Sequence, residues 1–338
     1  MSVVIGWDIG GVHLKAARAE NGRITRAAQY ASPLRVGTER LLEAFARARE
    51  DMGGADRNVA TMTGELADTF SSREEGVERL ASLAERELGA VSFYAGPAGC
   101  VDVGDAHNHR KEIASANWHA CATLIARKRE NALFIDLGST TTDVIPIANG
   151  RVAARGYADW ERLAAGELVY TGLVRGFIMA TAEHAPLRGV WMPLVNENFA
   201  TMADVYRILG TLPPDVDLMM TADGRAKTAE ASRARLARML GMDAADADDA
   251  TWTRLAHWFA EAQTRAIADA AALVLSAGAP TAPCPVVGAG IGLPVTGEIA
   301  RRLGCAFETF DALLDVAADM RTAVCHCAPA AALASLFR

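Results

Sequence analysis

The chain has 338 residues, 51% hydrophobic and 22% charged, with a net charge of −7. That length supports two cores of ordinary size, and the composition excludes a disordered chain. The acidic balance argues against a nucleic-acid binder, no apolar run reaches membrane-spanning length, no secretory leader is visible, and the six cysteines follow no framework spacing. A cytoplasmic protein with reduced thiols is expected, acting on small molecules rather than on nucleic acid or membrane.

The run from residue 5 to residue 24, IGWDIGGVHLKAARAENGRI, opens as an apolar strand that reaches Asp8 and a turn at Gly10-Gly11. A dinucleotide site would need that glycine turn to open a helix. The following Val12-His13-Leu14-Lys15-Ala16 alternates instead and meets an Asn21-Gly22 turn, a strong hairpin signal. A three-strand meander is expected. Residues 29–35 leave it through a Ser-Pro turn. Helical spacing follows over 39–50, a strand over 57–63, and an amphipathic helix over 74–88 with Val77, Leu80, Leu83, Ala84 and Leu88 on one face. Residues 91–94 read as a strand, 95–108 as loop and 115–129 as helix. The chain divides near Asn131, giving lobes of 1–130 and 131–338.

The second lobe opens on LFIDLGSTTTDVIPIANGRV, residues 133–152, which repeats the first design. A shift of 128 residues sets Asp8 on Asp136, Gly10 on Gly138, Asn21 on Asn149, Gly22 on Gly150 and Arg23 on Arg151 without a gap. Such an internal repeat implies two similar lobes. Farther on, helices are expected over 161–180, 200–209, within 223–241, over 252–277, 294–303 and 328–337. A buried strand at 285–287 feeds a late glycine turn containing Gly288 and Gly290.

Two Asp-x-Gly turns facing one cleft would grip a di- or triphosphate from both sides. Gly10, Gly11 and Gly138 let the backbone approach, and Ser139, Thr140 and Thr141 offer amide and hydroxyl donors. Asp8 and Asp136 stand where Mg²⁺ bridging those phosphate oxygens needs carboxylates; each Asp is also a residue that caps its own turn. Lys15 holds the register position of Asp143. It either faces phosphate or is a solvated strand residue, while Asp143 would hold a metal-bound water or accept a proton. Glu65 and Asp68 follow a strand end and face the substrate side. Asn117 and Trp118 open a helix; the indole is either core or a stacking platform. Asp204 lies on a helix, and Asp223-Gly224-Arg225 is a turn beside a cation suited to a carboxylate or phosphate. The short runs His107-Asn108-His109 and Cys325-His326-Cys327 have no second ligand pair at a metal spacing.

The motifs GWDIGG (6–11), MTGELAD (62–68), ASANWHA (114–120), DLGSTTTDVIPI (136–147), NFATMADVYRILG (198–210) and TADGR (221–225) resemble the hydantoinase/oxoprolinase-like proteins of the actin, hexokinase and Hsp70 superfamily. The resemblance covers nearly the whole chain. It implies an α/β fold of two actin-like, ribonuclease H-like lobes around a phosphate cleft, with the last helix crossing to the first lobe.

The function the resemblance implies is ether formation in methanofuran or methylofuran assembly, within one-carbon metabolism. An aminomethylfuran diphosphate would alkylate the phenol of a glutamyl-tyramine or glutamyl-tyrosine acceptor and release diphosphate, with Mg²⁺ and without ATP. Asp143, Glu65 and Asp204 are the candidate bases. The alternatives are an ATP-dependent kinase or amidohydrolase, in which Gly288 and Gly290 hold adenosine, and a non-catalytic nucleotide sensor. Association into a homo-oligomer is compatible with the sequence but not required by it.

Overall fold

The computed structural model describes residues 2–213, 215–280 and 284–337. The alternating N-terminal run folds into the antiparallel strands β1 (Val3–Ile9), β2 (His13–Glu20) and β3 (Arg23–Ala31). The turn between β2 and β3 has φ of 50° at Asn21 and 88° at Gly22, the two positive values that a two-residue hairpin loop demands. Helix α1 (Glu39–Met52) then crosses to β4 (Arg57–Met62), parallel to β1, and α2 (Arg73–Leu88) crosses to β5 (Val91–Tyr94), parallel to β4. Strand β6 (Cys100–Asp102) closes the sheet in the order β3-β2-β1-β4-β5-β6. It lies inside the stretch expected as loop, because three edge residues are too few to show a period. Helices α3 (Arg110–Ile113) and α4 (Asn117–Ala126) lead to the second sheet.

That sheet repeats the plan. Strands β7 (Ala132–Leu137) and β8 (Thr142–Ala148) pair antiparallel, and β9 (Arg151–Val152) follows the Asn149-Gly150 turn, with φ of 53° and 66°. Next come α5 (Asp159–Ala165), β10 (Leu168–Val169), α6 (Ile178–Thr181) and the hairpin β11 (His184–Leu187) and β12 (Val190–Pro193). Helices α7 (Met202–Ile208), α8 (Ala229–Arg238) and the long α9 (Asp249–Ser276) precede β13 (Val286–Ala289), which lies parallel to β7. Helix α10 (Leu293–Arg302), β14 (Phe307–Thr309), α11 (Arg321–His326) and α12 (Ala328–Leu336) complete the chain. The strand order is β10-β8-β7-β13-β14. Two sheets with the same central order, an antiparallel hairpin beside a parallel crossover, make the duplicated actin-like α/β architecture.

The single helix expected over 161–180 is not formed. Gly166 ends α5 in the left-handed region, with φ of 74° and ψ of 11°. The amides of Leu173, Val174 and Arg175 are then spent on the carbonyls of Gly138 and Ser139, at 2.9, 3.2 and 2.8 Å. That stretch wraps the second turn instead of coiling on itself.

Three cores hold the layers together. One lies between β1, β4 and helices α1 and α2; one lies outside the second sheet under α7, α8, α9 and α10; the third fills the space between the sheets, built by α4 and α12. Helix α12 packs on β1, β2 and β4 of the first sheet. Its approach depends on Gly6 in β1: a Cβ there would fall 2.0 Å from the Ala330 carbonyl oxygen and 2.8 Å from the Ala334 nitrogen. An Ala-rich helix lying directly on a glycine brings two backbones to a separation that larger side chains forbid.

Candidate functional site

The repeat places two chemically different residue pairs at the same point of each sheet. Asp8 faces Lys15 across β1 and β2, and Asp136 faces Asp143 across β7 and β8. Just beyond, each turn closes with the same hydrogen bond: the Gly10 amide donates to the His13 carbonyl at 3.0 Å, and the Gly138 amide to the Thr141 carbonyl at 3.0 Å. Both turns sit past the carboxyl ends of the central strands, where open α/β sheets place their ligands. Together they line one cleft of about 390 Å³.

Burial dominates the electrostatics there. It pushes the Asp8 carboxyl up to about 6, against the pull of the Lys15 ammonium and with help from the Asp143 charge. It pushes Asp136 up to about 7, again opposed by Lys15 and reinforced by Asp143 and Asp8. Burial alone would lower the Lys15 ammonium, but Asp8 and then Asp136 outweigh it and hold it above its ordinary value. Lys15 is thus the shared counter-ion of two carboxylates from different sheets. Asp143 is also raised by burial, against an ion pair in which the buried Arg162 takes Oδ1; among the described residues nothing donates to Oδ2. His13 is pushed down to about 3 by burial, Lys15 and Arg175, and so is neutral. Among the described residues that line the cleft, Asp8 Oδ1, His13 Nε2, Ser139 Oγ and Arg162 Nε are buried without a hydrogen-bond partner. Such groups are costly unless a ligand or water completes them.

No group of three or more His, Cys, Asp and Glu side chains among the described residues is arranged to hold a metal ion. Two carboxylates are nevertheless the usual protein share for a Mg²⁺ that fills its shell with water and substrate phosphate. The orphaned Asp8 oxygen beside Asp136 fits that role.

Of the residues singled out in the sequence, Asp8, Gly10, Gly11, Lys15, Asn117, Asp136, Gly138, Ser139, Thr140, Thr141 and Asp143 line the cleft, as does Asp68. Others do not. Glu65 is sealed behind the wall, accepting from Ser115 Oγ at 2.9 Å and Arg73 Nη2 at 3.1 Å; Ser115 is what reaches the cleft. Trp118 is core and does not line the cleft; its ring carries the guanidinium of the cleft residue Arg162 at 4.4 Å. Asp204 is not a free base. Its carboxylate is taken by Arg235 Nε at 2.8 Å, Ser232 Oγ at 2.8 Å, Arg207 Nη1 at 3.2 Å and the Thr201 amide at 3.1 Å. Asp223 binds Arg235 Nη1 at 3.1 Å in that same network, and the Arg225 side chain is exposed. Neither lines the cleft.

Gly288 and Gly290 of the late glycine turn do not line the cleft either. A Cβ on Gly288 would meet Thr296 Oγ1 at 2.5 Å and the Phe307 ring at 2.6 Å. On Gly290 it would meet the Leu137 carbonyl oxygen at 2.2 Å and Asp136 Oδ1 at 2.4 Å, so this glycine supports the Asp136 carboxylate from behind. Arg35, Asp159, Arg162, Tyr170, Arg175 and Met219 line the cleft without having been found from the sequence. Asp159 and Arg162 come from the short helix α5 and the other four from connecting segments without a motif, and only the tertiary fold assembles them.

The hydantoinase/oxoprolinase family model matches residues 56–308. A curated protein of Methanocaldococcus jannaschii, named (4-{4-[2-(gamma-L-glutamylamino)ethyl]phenoxymethyl}furan-2-yl)methanamine synthase, is 30% identical over 243 residues, 71% of this chain and 72% of that protein. A Methanococcus vannielii protein of the same name is 31% identical over 114 residues; the match covers 34% of this chain and about half, 51%, of that relative. Among solved structures, a nucleotide-free acetone carboxylase superposes with a TM-score of 0.60 at 10% identity, over 98% of this chain and 70% of that one, a likeness of fold alone. No described helix is long and apolar enough to cross a membrane.

Proposed function

The chain belongs to the hydantoinase/oxoprolinase family, and from that premise we propose that it is a biosynthetic transferase of methanofuran or methylofuran assembly. It joins the phenol of a glutamyl-tyramine or glutamyl-tyrosine acceptor to the methylene carbon of an aminomethylfuran diphosphate. The relative's printed name describes such a product: a phenoxymethyl link is an ether between a phenol oxygen and a furan-bound CH₂. The observation that carries the reading is the single cleft between two registered Asp-x-Gly turns, with Lys15 between two buried carboxylates.

The diphosphate lies between the turns. Amides near Gly10, Gly11 and Gly138, and the hydroxyls of Ser139, Thr140 and Thr141, donate to its oxygens. Lys15 adds a fixed positive charge. Asp8 and Asp136 would hold Mg²⁺, which supplies Lewis-acid neutralisation of the leaving oxygens. The furan and phenol rings rest on apolar lining residues of the cleft, among them Val12, Pro33, Leu66, Tyr170 and Met219. The bond between the methylene carbon and the diphosphate oxygen breaks with its electron pair leaving on diphosphate, while the phenol oxygen forms the new bond to carbon. The phenolic proton passes to Asp143 Oδ2, the oxygen that Arg162 leaves free. The electron-rich furan stabilises positive charge on the reacting carbon, so bond breaking runs ahead of bond making. No nucleotide is consumed.

The test is a mass-spectrometric assay of the purified protein with Mg²⁺, the furan diphosphate and either acceptor, in the absence of ATP, beside parallel reactions that carry ATP. Ether product and free diphosphate in equal amounts are expected, and the preferred acceptor fixes the pathway branch. ATP hydrolysis stimulated by a small molecule, with no ether formed, would sink the reading in favour of a kinase or amidohydrolase.

A further inference from the structure

We propose that Arg35 and Arg175, one hung from each phosphate turn, form a clamp that closes on the outer phosphoryl group of the bound diphosphate. The inference rests on the diphosphate reading of this cleft and goes further by assigning residues that no motif marks.

The two arginines are positioned by equivalent devices. Arg35 lies in the segment that returns to the first turn, where the Ser32 amide donates to the Val12 carbonyl at 2.8 Å and the Leu34 amide to the Gly11 carbonyl at 3.0 Å. Arg175 is tied to the second turn by its own amide, which donates to the Ser139 carbonyl at 2.8 Å. Both line the cleft.

The other cleft cations are already matched: Arg162 by Asp143, and Lys15 by Asp8 and Asp136. Among the described residues, neither Arg35 nor Arg175 has a carboxylate in ion-pair range, and the one hydrogen bond from the Arg175 side chain is a 3.5 Å contact with Thr140 Oγ1. The two line the same cleft and repel as like charges: burial and then the Arg35 charge lower the Arg175 guanidinium. Two unpaired guanidiniums across a cleft are unfavourable until an anion lies between them.

Two further groups at the same place lack partners, His13 Nε2 and Ser139 Oγ, both buried. His13 is neutral and keeps one ring N–H to give. Two guanidiniums, an imidazole N–H and a hydroxyl offer more donors than the two oxygens of a carboxylate accept. They suit a terminal phosphoryl group with three oxygens, next to turns that hold the inner one. A ligand gripped this way ties the first lobe to the second.

The experiment is titration calorimetry of inorganic pyrophosphate with Mg²⁺ against the full chain, Arg35→Ala, Arg175→Ala and the double variant. Inorganic phosphate and glutamyl-tyramine serve as parallel ligands. Each single change is expected to weaken pyrophosphate by about tenfold and the double by about a hundredfold, as for loss of charge-assisted contacts. Glutamyl-tyramine binding should stay unchanged. Arg35→Lys and Arg175→Lys, which keep charge and lose the planar fork, should fall between, and they read the clamp even if an alanine variant folds poorly. Pyrophosphate affinity equal in all variants would overturn the clamp while leaving the diphosphate site intact. Loss of glutamyl-tyramine binding with pyrophosphate unaffected would overturn it too, by assigning the pair to the acceptor carboxylate. If the unaltered chain binds no pyrophosphate, the diphosphate reading fails and the clamp fails with it.

Discussion

The two strand-turn-strand units share a backbone and divide the chemistry. Register, turn hydrogen bond and Asn-Gly corner are the same in both. The side chains are not. The first turn reads Gly11-Val12-His13 and offers amides with a neutral imidazole, while the second reads Ser139-Thr140-Thr141 and offers hydroxyls. Opposite Asp8 and Asp136 stand a cation in the first unit, Lys15, and an acidic residue in the second, Asp143. Beneath them, the first has Gly6 under helix α12, and the registered residue of the second is Phe134, whose ring lies 6.2 Å from that of Phe310. The two units share what sets geometry and differ in chemistry: the first carries a lysine, the second three hydroxyl side chains and a second aspartate.

Changing the charge that distinguishes the units should have the largest effect. Lys15→Met removes the shared counter-ion, and kcat/KM for ether formation should fall by about 10³-fold. Because Lys15 lowers both Asp8 and Asp136, the acid limb of any residual activity should also move to higher pH. A limb that stays in place would remove Lys15 from the carboxylate pair. Asp143→Asn, the change on the other side, should lower kcat by about 10²-fold with little effect on pyrophosphate affinity, as expected for a proton acceptor. An equal loss in both would make it a binding residue.

The packing contrast comes next. Gly6→Ala drives a Cβ into the α12 backbone, and a loss of about 3 kcal/mol is expected in urea unfolding. Phe134→Ala, at the registered position, should cost a similar amount for the opposite reason, a cavity. A neutral Gly6→Ala would mean that α12 does not lie on β1 as described.

Stability against pH is a smaller effect with a definite sign. Asp8 and Asp136 have folded-state values raised to about 6 and about 7, so between roughly pH 4 and 7 the folded chain binds protons that the unfolded chain has released. Their contribution to stability therefore falls as pH rises through that window. The Asp8 shift alone corresponds to about 3 kcal/mol. Asp136→Asn should flatten the pH dependence of Tm, and an unchanged slope would contradict the burial argument. Least of all, Asn21→Ala and Asn149→Ala should each cost about 1 kcal/mol by forcing alanine to positive φ. Unequal losses would show that the two corners are not equivalent.

The repeated unit was legible because strand alternation, Asp-x-Gly and Asn-Gly are local patterns, and the long amphipathic helices announced themselves by period. What escaped was decided by contacts between distant segments. Within residues 166–177 three glycines interrupt the apolar spacing, and the amides of Leu173, Val174 and Arg175 are claimed by the carbonyls of Gly138 and Ser139. Glu65 and Asp204 carry acidic side chains in motif-like stretches, yet Glu65 is sealed off with its Oε1 held by Arg73 and Ser115, and the Asp204 carboxylate is held by Arg235 and Ser232. No spacing reports that a carboxylate is already paired. Arg35 and Arg175 were missed for the converse reason, since nothing local shows that an arginine is unpaired and faces a cleft.

The central claim is that both turns act on one and the same diphosphate. It is tested most directly by calorimetric titration of Mg²⁺-pyrophosphate against the unaltered chain, Lys15→Met and Thr140→Val. The account predicts one ligand per chain and weaker binding of that single ligand in both variants, one from each unit. Two ligands per chain, or an affinity that responds to only one of the two units, would contradict it.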